Sequence, residues 1–421
     1  MILRMLKILF FLVLMSGNLY SEAFFAGSVT SVNSDSGFNA LRNPALMSGQ
    51  KHDTAGMFFL YTHDVYNDGS ANIDNPLIAD AEIDFDSDEK FNGNISISYV
   101  NRFIGGAFGF GIRKPEGTDQ LLSSESSFSM RGIYIPGFIP VKNETIEKKN
   151  AFALSTVFSY SKDFGRNEYV GLQFETGYSD STVKKEKSGT GGSIVDYDME
   201  ISTRDLIGNL NCGYNYKWDD FEFGAIIKFG EYKYRKQEYS YSDNILAGNN
   251  KDDDVSPYLF KSKGIEYTLG MGYRISHNLT FDFEITAGLP FDKKNKKLKD
   301  DDNGVMASEN SREYVNYTAG AAGGFNYKFS KDLKIGLGGN AGIYSADVTD
   351  HEHLKIEEFT YNVYSLLTGA EYSPVEGINI ILGTSLYYLM LNKKSESGSQ
   401  SIKIEIQTLY LNALAGVSMY Y

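Results

Sequence analysis

The stretch GIEYTLGMGYRISHNLTFDFEITAGL, residues 264–289, decides the fold class of this chain. After the polar trio at 276–278, apolar and polar residues alternate strictly. The apolar set is Leu279, Phe281, Phe283, Ile285, Ala287 and Leu289, and the polar set is Thr280, Asp282, Glu284 and Thr286. Because successive side chains of a β-strand point to opposite faces, this pattern predicts a strand with one apolar and one polar face. The trio predicts a tight turn from a preceding strand over residues 264–275, which makes the stretch a hairpin.

This hairpin pattern recurs along most of the chain. From residue 54 to residue 421, short connections alternate with long polar ones between amphipathic segments, which predicts fourteen antiparallel strands. An even strand number with short turns at one end and long loops at the other is typical of a bacterial outer-membrane barrel. Aromatic residues beside the short turns predict a girdle at the membrane interface; they are Tyr214, Tyr216, Trp218, Tyr273, Tyr327, Phe329, Tyr372 and Tyr421. We therefore expect an all-β fold with a transmembrane β-barrel over residues 54–421.

The composition suits a barrel and argues against other classes of protein. The chain has 30 Tyr, 28 Phe and 42 Gly against 8 Pro, and its mean hydropathy of −0.30 fits a wall in which only alternate residues touch lipid. A net charge of −14 argues against a nucleic-acid partner. Cys212 is the single cysteine, so no disulfide framework is expected. The histidines are scattered and no nucleophile elbow or phosphate loop is present, so we expect no enzyme, no cofactor and no metal site.

The first 23 residues resemble a secretory signal peptide. Arg4 and Lys7 precede a short apolar run over residues 8–15, and small and polar residues follow it. The run is too short to cross a bilayer as a helix. We expect cleavage after residue 23, so that the mature chain begins at Phe24.

Residues 24–53 do not alternate and cannot continue the wall. A barrel of fourteen strands is wide enough to conduct unless its lumen is filled, so we expect these residues to lie inside it. Asn43 is expected to cap a short helix that begins at Pro44. The stretch over residues 33–47, with Asp35-Ser36-Gly37 and the motif Arg42-Asn43-Pro44-Ala45-Leu46, resembles the N-terminal hatch of the FadL family. These proteins are outer-membrane transporters of long-chain fatty acids and other hydrophobic compounds, with a plug followed by a fourteen-stranded barrel.

The resemblance implies a route for passive uptake. A hydrophobic molecule lands in a groove between the outer loops, passes to a pocket in the lumen, and leaves sideways through the wall when the N-terminus moves. For binding we expect Phe24 and Phe25 at the mature N-terminus. The apolar loop over residues 121–141 would line the groove or fold inward as part of the plug, and its candidate residues are Phe128, Met130, Ile133 and Phe138.

Two further expectations concern the wall and the plug. Glycine weakens strand pairing and marks bends, so Gly105, Gly106, Gly109 and Gly111 are candidates for the lateral opening. The alternative is that these glycines allow the plug to approach closely. Arg42 is expected either to pair with a lumen carboxylate, such as Asp282 or Glu284, or to receive the carboxylate of a fatty acid.

The remaining expectations concern location and partners. We expect a monomer in the bacterial outer membrane, surrounded by its lipid and inserted by the barrel assembly machinery through the strand that ends at Tyr421. A general diffusion porin is an alternative that open-channel conductance would distinguish. A barrel that serves as a surface or secretion-complex component is another, and it predicts a stable protein partner without bound lipid. The sequence does not name the ligand.

Overall fold

The structure is a computed structural model, and it describes twelve stretches of the chain. They are residues 38–75, 78–89, 92–113, 126–131, 142–190, 197–243, 250–263, 265–301, 304–307, 312–350, 355–397 and 400–421. The predicted signal peptide over residues 1–23 lies outside them, as do Phe24, Phe25, Ile133 and Phe138. No helix within these stretches is long and apolar enough to cross a membrane.

Fourteen antiparallel strands close into a barrel, as the sequence predicted. The wall strands are β1 (Thr54–Asn75), β3 (Asn92–Phe103), β4 (Gly106–Arg113), β6 (Lys142–Gly165), β7 (Glu168–Thr190), β8 (Tyr197–Trp218), β9 (Phe221–Asp243), β11 (Ile265–Arg274), β12 (Leu279–Asp301), β14 (Arg312–Lys328), β15 (Leu333–Asp350), β16 (Lys355–Val375), β17 (Ile378–Ser397) and β18 (Gln400–Tyr420). The barrel closes where β1 pairs with β18, from Thr54 opposite Tyr420 to Asp74 opposite Ser401.

Four additional strands extend the wall on the side of the long connections. They are β2 (Ile78–Glu89), β5 (Ser126–Arg131), β10 (Asn250–Lys263) and β13 (Gly304–Ala307). Each pairs with the part of a wall strand that is farthest from the short turns. The predicted long loops therefore contain paired backbone, which the sequence analysis did not anticipate.

The two faces of the wall follow the predicted alternation. In β12, Ile285 is 46% exposed, whereas Asp282 on the opposite face is 5% exposed. The outward face carries most of the large apolar residues and the inward face carries most of the polar ones, as expected of a barrel wall with lipid outside. Aromatic residues of the predicted girdle, including Trp218, Phe329 and Tyr421, are exposed beside the short turns.

Candidate functional site

Residues 38–53, which we call the inner segment, lie against the inward face of the wall. The segment forms two short 3-10 helices, η1 (Asn39–Leu41) and η2 (Pro44–Met47), whose residues are all buried. Asn43 caps η2, because its Oδ1 accepts a hydrogen bond from the amide of Ala45 at 3.1 Å. Pro44 occupies the first helical position, where its missing N–H costs nothing. The predicted cap is therefore confirmed, on a 3-10 helix.

Glycines on the inward face of the wall make room for the inner segment. A Cβ atom at Gly213 of β8 would lie 2.0 Å from Oδ1 of Asn43, and one at Gly171 of β7 would lie 2.5 Å from the amide nitrogen of Ala45. At Gly109 of β4 it would lie 2.4 Å from Sδ of Met47. No side chain fits at such distances, so these glycines form a trough shaped to the backbone of the segment.

The four glycines predicted to mark a lateral opening have different surroundings. Gly105 lies in the turn after β3 with φ of +82°, and Gly106 begins β4. Gly109 and Gly111 face the inner segment, the latter against Leu41. Over residues 106–112, β4 pairs with both β3 and β6 without a shift of register. Close approach of the segment accounts for Gly109 and Gly111, and a role of the four in release stays a prediction.

Wall side chains hold the main chain of the inner segment. The carbonyl oxygen of Ala40 accepts hydrogen bonds from Ser159 Oγ at 2.9 Å and from Gln173 Nε2 at 2.8 Å. Gln173 is held in turn by Asn211, whose Nδ2 donates to Gln173 Oε1 at 2.8 Å. Asn43 Nδ2 donates to the carbonyl of Tyr214 at 3.1 Å. The buried main chain of the inner segment lies outside the sheet, and side chains of the wall supply hydrogen bonds to it.

A buried ion pair supports the same segment at the end of β4. Arg113 donates from a guanidinium nitrogen to Glu175 Oε2 at 2.7 Å, with side chains 6% and 0% exposed. A second guanidinium nitrogen donates to the carbonyl of Leu41 at 3.2 Å, and Ser155 Oγ donates to the carboxylate of Glu175. Arg113 therefore connects a wall carboxylate to the backbone of the inner segment.

The segment leaves the lumen beside the seam between β1 and β18. Asp53 accepts hydrogen bonds from the amide of Arg102 at 2.7 Å and from Asn101 Nδ2 at 3.0 Å, both close to the turn after β3. Its carbonyl oxygen accepts from the amide of Tyr421 at 3.1 Å. Asp53 therefore fixes the point where the segment becomes wall.

At its other described end the segment adds a ring to an apolar cluster in the lumen. Phe38 meets Phe58 of β1 edge to face, with ring centroids 4.9 Å apart. The buried cluster also contains Leu41, Leu60, Val157, Leu367, Ile381 and Leu414. Buried apolar residues also face inward elsewhere, including Val100, Ile207 and Val363, but this cluster is the larger of the two that the described residues form, so it could hold an apolar molecule.

The other predicted site residues are placed as follows. Arg42, Ala45 and Leu46 are buried within the inner segment. Asp282 accepts a hydrogen bond from Asn326 Nδ2 at 2.8 Å, and the pairing of Arg42 with Asp282 or Glu284 stays a prediction. Phe128 and Met130 lie in β5, opposite Ser87 and Phe85 of β2, and their role in ligand binding also stays a prediction.

Several residues that contact the inner segment were not predicted from the sequence. Arg113, Glu175 and Gln173 are single polar residues on separate strands, and no local motif surrounds them. Gly171 and Gly213 carried a usable signal, since both have the parity of the polar inward residues of their strands.

Replacing Asn43 by alanine is expected to loosen the inner segment. The change removes the η2 cap and the bond to Tyr214, and loss of such a cap costs about 0.5–2 kcal/mol. Hydrogen exchange of amides in residues 44–50 should then accelerate about 2- to 30-fold, the factor this free energy gives. Amides of β8 serve as the internal control and should keep their rates. Unchanged exchange in the segment would mean that the cap does not hold η2.

Comparisons with known proteins agree on the architecture. No protein-family model and no curated protein matches this sequence. The toluene transporter TodX of Pseudomonas putida is 12% identical, with a TM-score of 0.54 over 97% of this chain and 100% of that chain. The toluene transporter TbuX of Ralstonia pickettii is 11% identical, with a TM-score of 0.56 over 97% and 99%. A FadL homologue of Pseudomonas aeruginosa is 12% identical, with a TM-score of 0.55 over 94% and 96%. At this identity the likeness establishes the fold alone: the chain folds as the FadL-type barrels do, which confirms at the level of fold the resemblance seen in its sequence.

Proposed function

We propose that this protein is an outer-membrane channel for the passive uptake of hydrophobic molecules, with the inner segment as its plug. The observation that carries the proposal is the glycine trough, because Gly109, Gly171 and Gly213 leave space that only the segment fills. A wall shaped around a short segment argues for a gated lumen. An open diffusion pore would need no such trough, and it would keep its lumen polar.

The nature of the ligand follows from the apolar cluster and from similar structures. Phe38, Phe58 and Leu414 belong to a cluster of buried apolar residues inside the barrel. Two similar structures are described as toluene transporters and a third as a FadL homologue. Long-chain fatty acids and small aromatic hydrocarbons are therefore the first compounds to test. We further propose a monomer in the outer membrane, inserted through the strand that ends at Tyr421.

Lateral release would occur at the outer end of β4. This strand has 8 described residues, fewer than any other wall strand in the part of the chain that the structure describes. Its neighbours continue beyond it, and among the described residues neither 92–96 of β3 nor 150–154 of β6 has a partner on the side of β4. The Arg113–Glu175 pair lies at this end, beside Leu41 of the segment. Movement of the plug would thus uncover a place where described wall residues have no strand partner.

A reversible lock tests whether the plug must move. Ser48 Oγ of the inner segment lies 2.5 Å from Ser161 Oγ of β6, and both residues are buried. Cysteines at these two positions are close enough to form a disulfide, which the oxidising periplasm would favour. Cells that express Ser48→Cys/Ser161→Cys in a Cys212→Ser background should take up labelled oleate and toluene no faster than cells without the protein. Reductant should restore uptake.

Control variants show whether a loss of uptake is caused by the disulfide between positions 48 and 161. Each single cysteine variant should transport with and without reductant, and gel mobility before and after reduction reports the disulfide. Wild-type uptake through the oxidised double variant would show that the plug does not gate transport. High ion conductance of the wild-type protein would favour a porin. A stable protein partner, with no uptake of either compound, would favour a scaffold.

A further inference from the structure

The lumen has two walls of different character. The inward faces of β4 to β12 carry charged residues, among them Arg113, Glu175, Asp205, Lys228, Glu266, Asp282 and Glu284. Between the levels of Glu371 and Lys393, the inward faces of β16, β17, β18, β1 and β3 carry none among the residues whose burial the structure describes, and Asp64 of β1, opposite Tyr410, holds an inward register position at the outer end of this region. One wall is therefore ionic, and the facing wall is largely uncharged.

The neutral wall combines apolar residues with a row of uncharged polar ones. Phe58, Leu60, Leu367, Ile381 and Leu414 form its apolar part. Leu367 of β16 pairs with Ser385 of β17, which pairs with Asn412 of β18. Tyr387 follows Ser385 by two residues on the same face of β17 and is therefore farther from the short turns. Asn340 and Ser365 lie beside its hydroxyl. We call the residues Phe58, Leu60, Leu367, Ile381, Ser385, Tyr387, Asn412 and Leu414 the neutral patch.

One polar atom of the neutral patch is buried without an internal partner. Asn412 is 6% exposed, and its Nδ2 donates to Ser385 Oγ at 3.2 Å. Its Oδ1 is buried and accepts no hydrogen bond from the described residues. A buried acceptor left unpaired costs about 1–3 kcal/mol, so a donor on a bound molecule would recover that free energy.

The scarcity of cationic side chains argues against an anionic head group at the neutral patch. A carboxylate buried without a cation is strongly unfavourable, whereas a hydroxyl needs only one acceptor. The main chain of Arg42 lies at the opposite wall, where Gln173 Nε2 donates to its carbonyl at 3.4 Å. Phe38 covers the patch edge to face with Phe58, as a ring of a ligand could when the plug moves.

We propose that the neutral patch binds the uncharged, hydrogen-bond-donating head of an apolar ligand, with Asn412 Oδ1 as the acceptor. The inference rests on the proposed function and narrows its substrate class. The channel then selects hydroxyl-bearing hydrophobic molecules, such as alkylphenols and long-chain alcohols, over fatty-acid anions.

Three ligands with the same tail test this. They are 4-heptylphenol, which donates a hydrogen bond, 4-heptylanisole, which only accepts one, and 4-heptylbenzoate, which is charged. Equilibrium binding is measured on the full mature chain in lipid nanodiscs, with empty nanodiscs subtracted. The phenol should bind about tenfold more tightly than either analogue, the factor that corresponds to about 1.4 kcal/mol. Asn412→Leu should abolish the difference between phenol and anisole while the anisole still binds.

The outcomes separate this inference from the function on which it rests. Benzoate bound as tightly as phenol, or phenol bound no better than anisole, overturns the neutral head group and leaves hydrophobic uptake intact. If the wild-type protein binds none of the three and the cysteine lock has no effect on uptake, both proposals fail. The comparison of the three ligands on the wild-type protein does not depend on the folding of the Asn412 variant.

Discussion

Replacing Gly213 by valine is expected to displace η2 from the wall and open the barrel to ions. A Cβ atom there would lie 2.0 Å from Asn43 Oδ1 and 2.9 Å from Pro44 Cδ, and the two additional methyl groups crowd the same space. Overpacking of this kind costs about 1–3 kcal/mol. The steric overlap is relieved when the segment moves away from β8. The equilibrium between the seated and displaced plug should shift about 5- to 150-fold. Single-channel recordings should then show frequent long openings, where the wild-type channel is mostly closed.

A control for this change exists on the same strand. A Cβ atom at Gly208 of β8 would meet no other atom within 4 Å, so a larger side chain has open space at this position. Gly208→Val should therefore leave the conductance at the wild-type level. Hydrogen exchange of residues 44–50 should rise in the Gly213 variant alone. If Gly213→Val conducts no more than Gly208→Val, the inner segment does not close the lumen.

Replacing Glu175 by alanine is expected to produce the largest loss of stability. The change leaves Arg113 charged and buried, without the carboxylate that accepts its 2.7 Å hydrogen bond. Removal of one partner from a buried ion pair costs about 3–5 kcal/mol. Urea unfolding of the protein in lipid vesicles should show a free energy of unfolding lower by that amount, and residues near Leu41 should exchange faster.

Two further variants isolate the effect of the buried charge. Lys184 and Glu200 form an ion pair at 3.3 Å between β7 and β8, with side chains 53% and 47% exposed. Glu200→Ala should change the stability by less than about 1 kcal/mol, because exposed pairs contribute little. The double change Arg113→Leu/Glu175→Leu removes both charges and should be less destabilising than Glu175→Ala. Equal losses for Glu175→Ala and Glu200→Ala would contradict the role given to the buried pair.

The wall was predictable because the membrane acts on every strand in the same way. Lipid on one side and the barrel interior on the other impose a period of two, which is why Ile285 and Asp282 could be assigned to opposite faces from their positions alone. The cap formed by Asn43 and Pro44 was predictable for a similar reason, since it depends on neighbours in the chain. Strand ends were not predictable: the alternation fades near residue 62, but β1 continues to Asn75 because backbone pairing does not need an apolar face.

Contacts across the lumen could not be predicted from the sequence. Arg113 and Glu175 are 62 residues apart, and their meeting depends on the register of β4, β6 and β7. The contact of Phe38 with Phe58 and the neighbouring cluster depends on closure of the barrel. Each of these side chains is ordinary in its local sequence, so only the register brings them together.

The position of the inner segment also has a consequence for biogenesis. The hydrogen bonds described above for residues 40–43 come from β4 to β9, so the trough is complete when only the earlier strands of the wall have formed. Leu367, Ile381 and Leu414, which complete the cluster around Phe38, belong to the strands that are synthesised last. A partly formed, curved sheet could therefore bind the segment before its two edge strands, β1 and β18, pair with each other. Pairing of β18 with β1 would then enclose a segment that is already bound to the wall, and no polypeptide would have to thread into a finished cylinder.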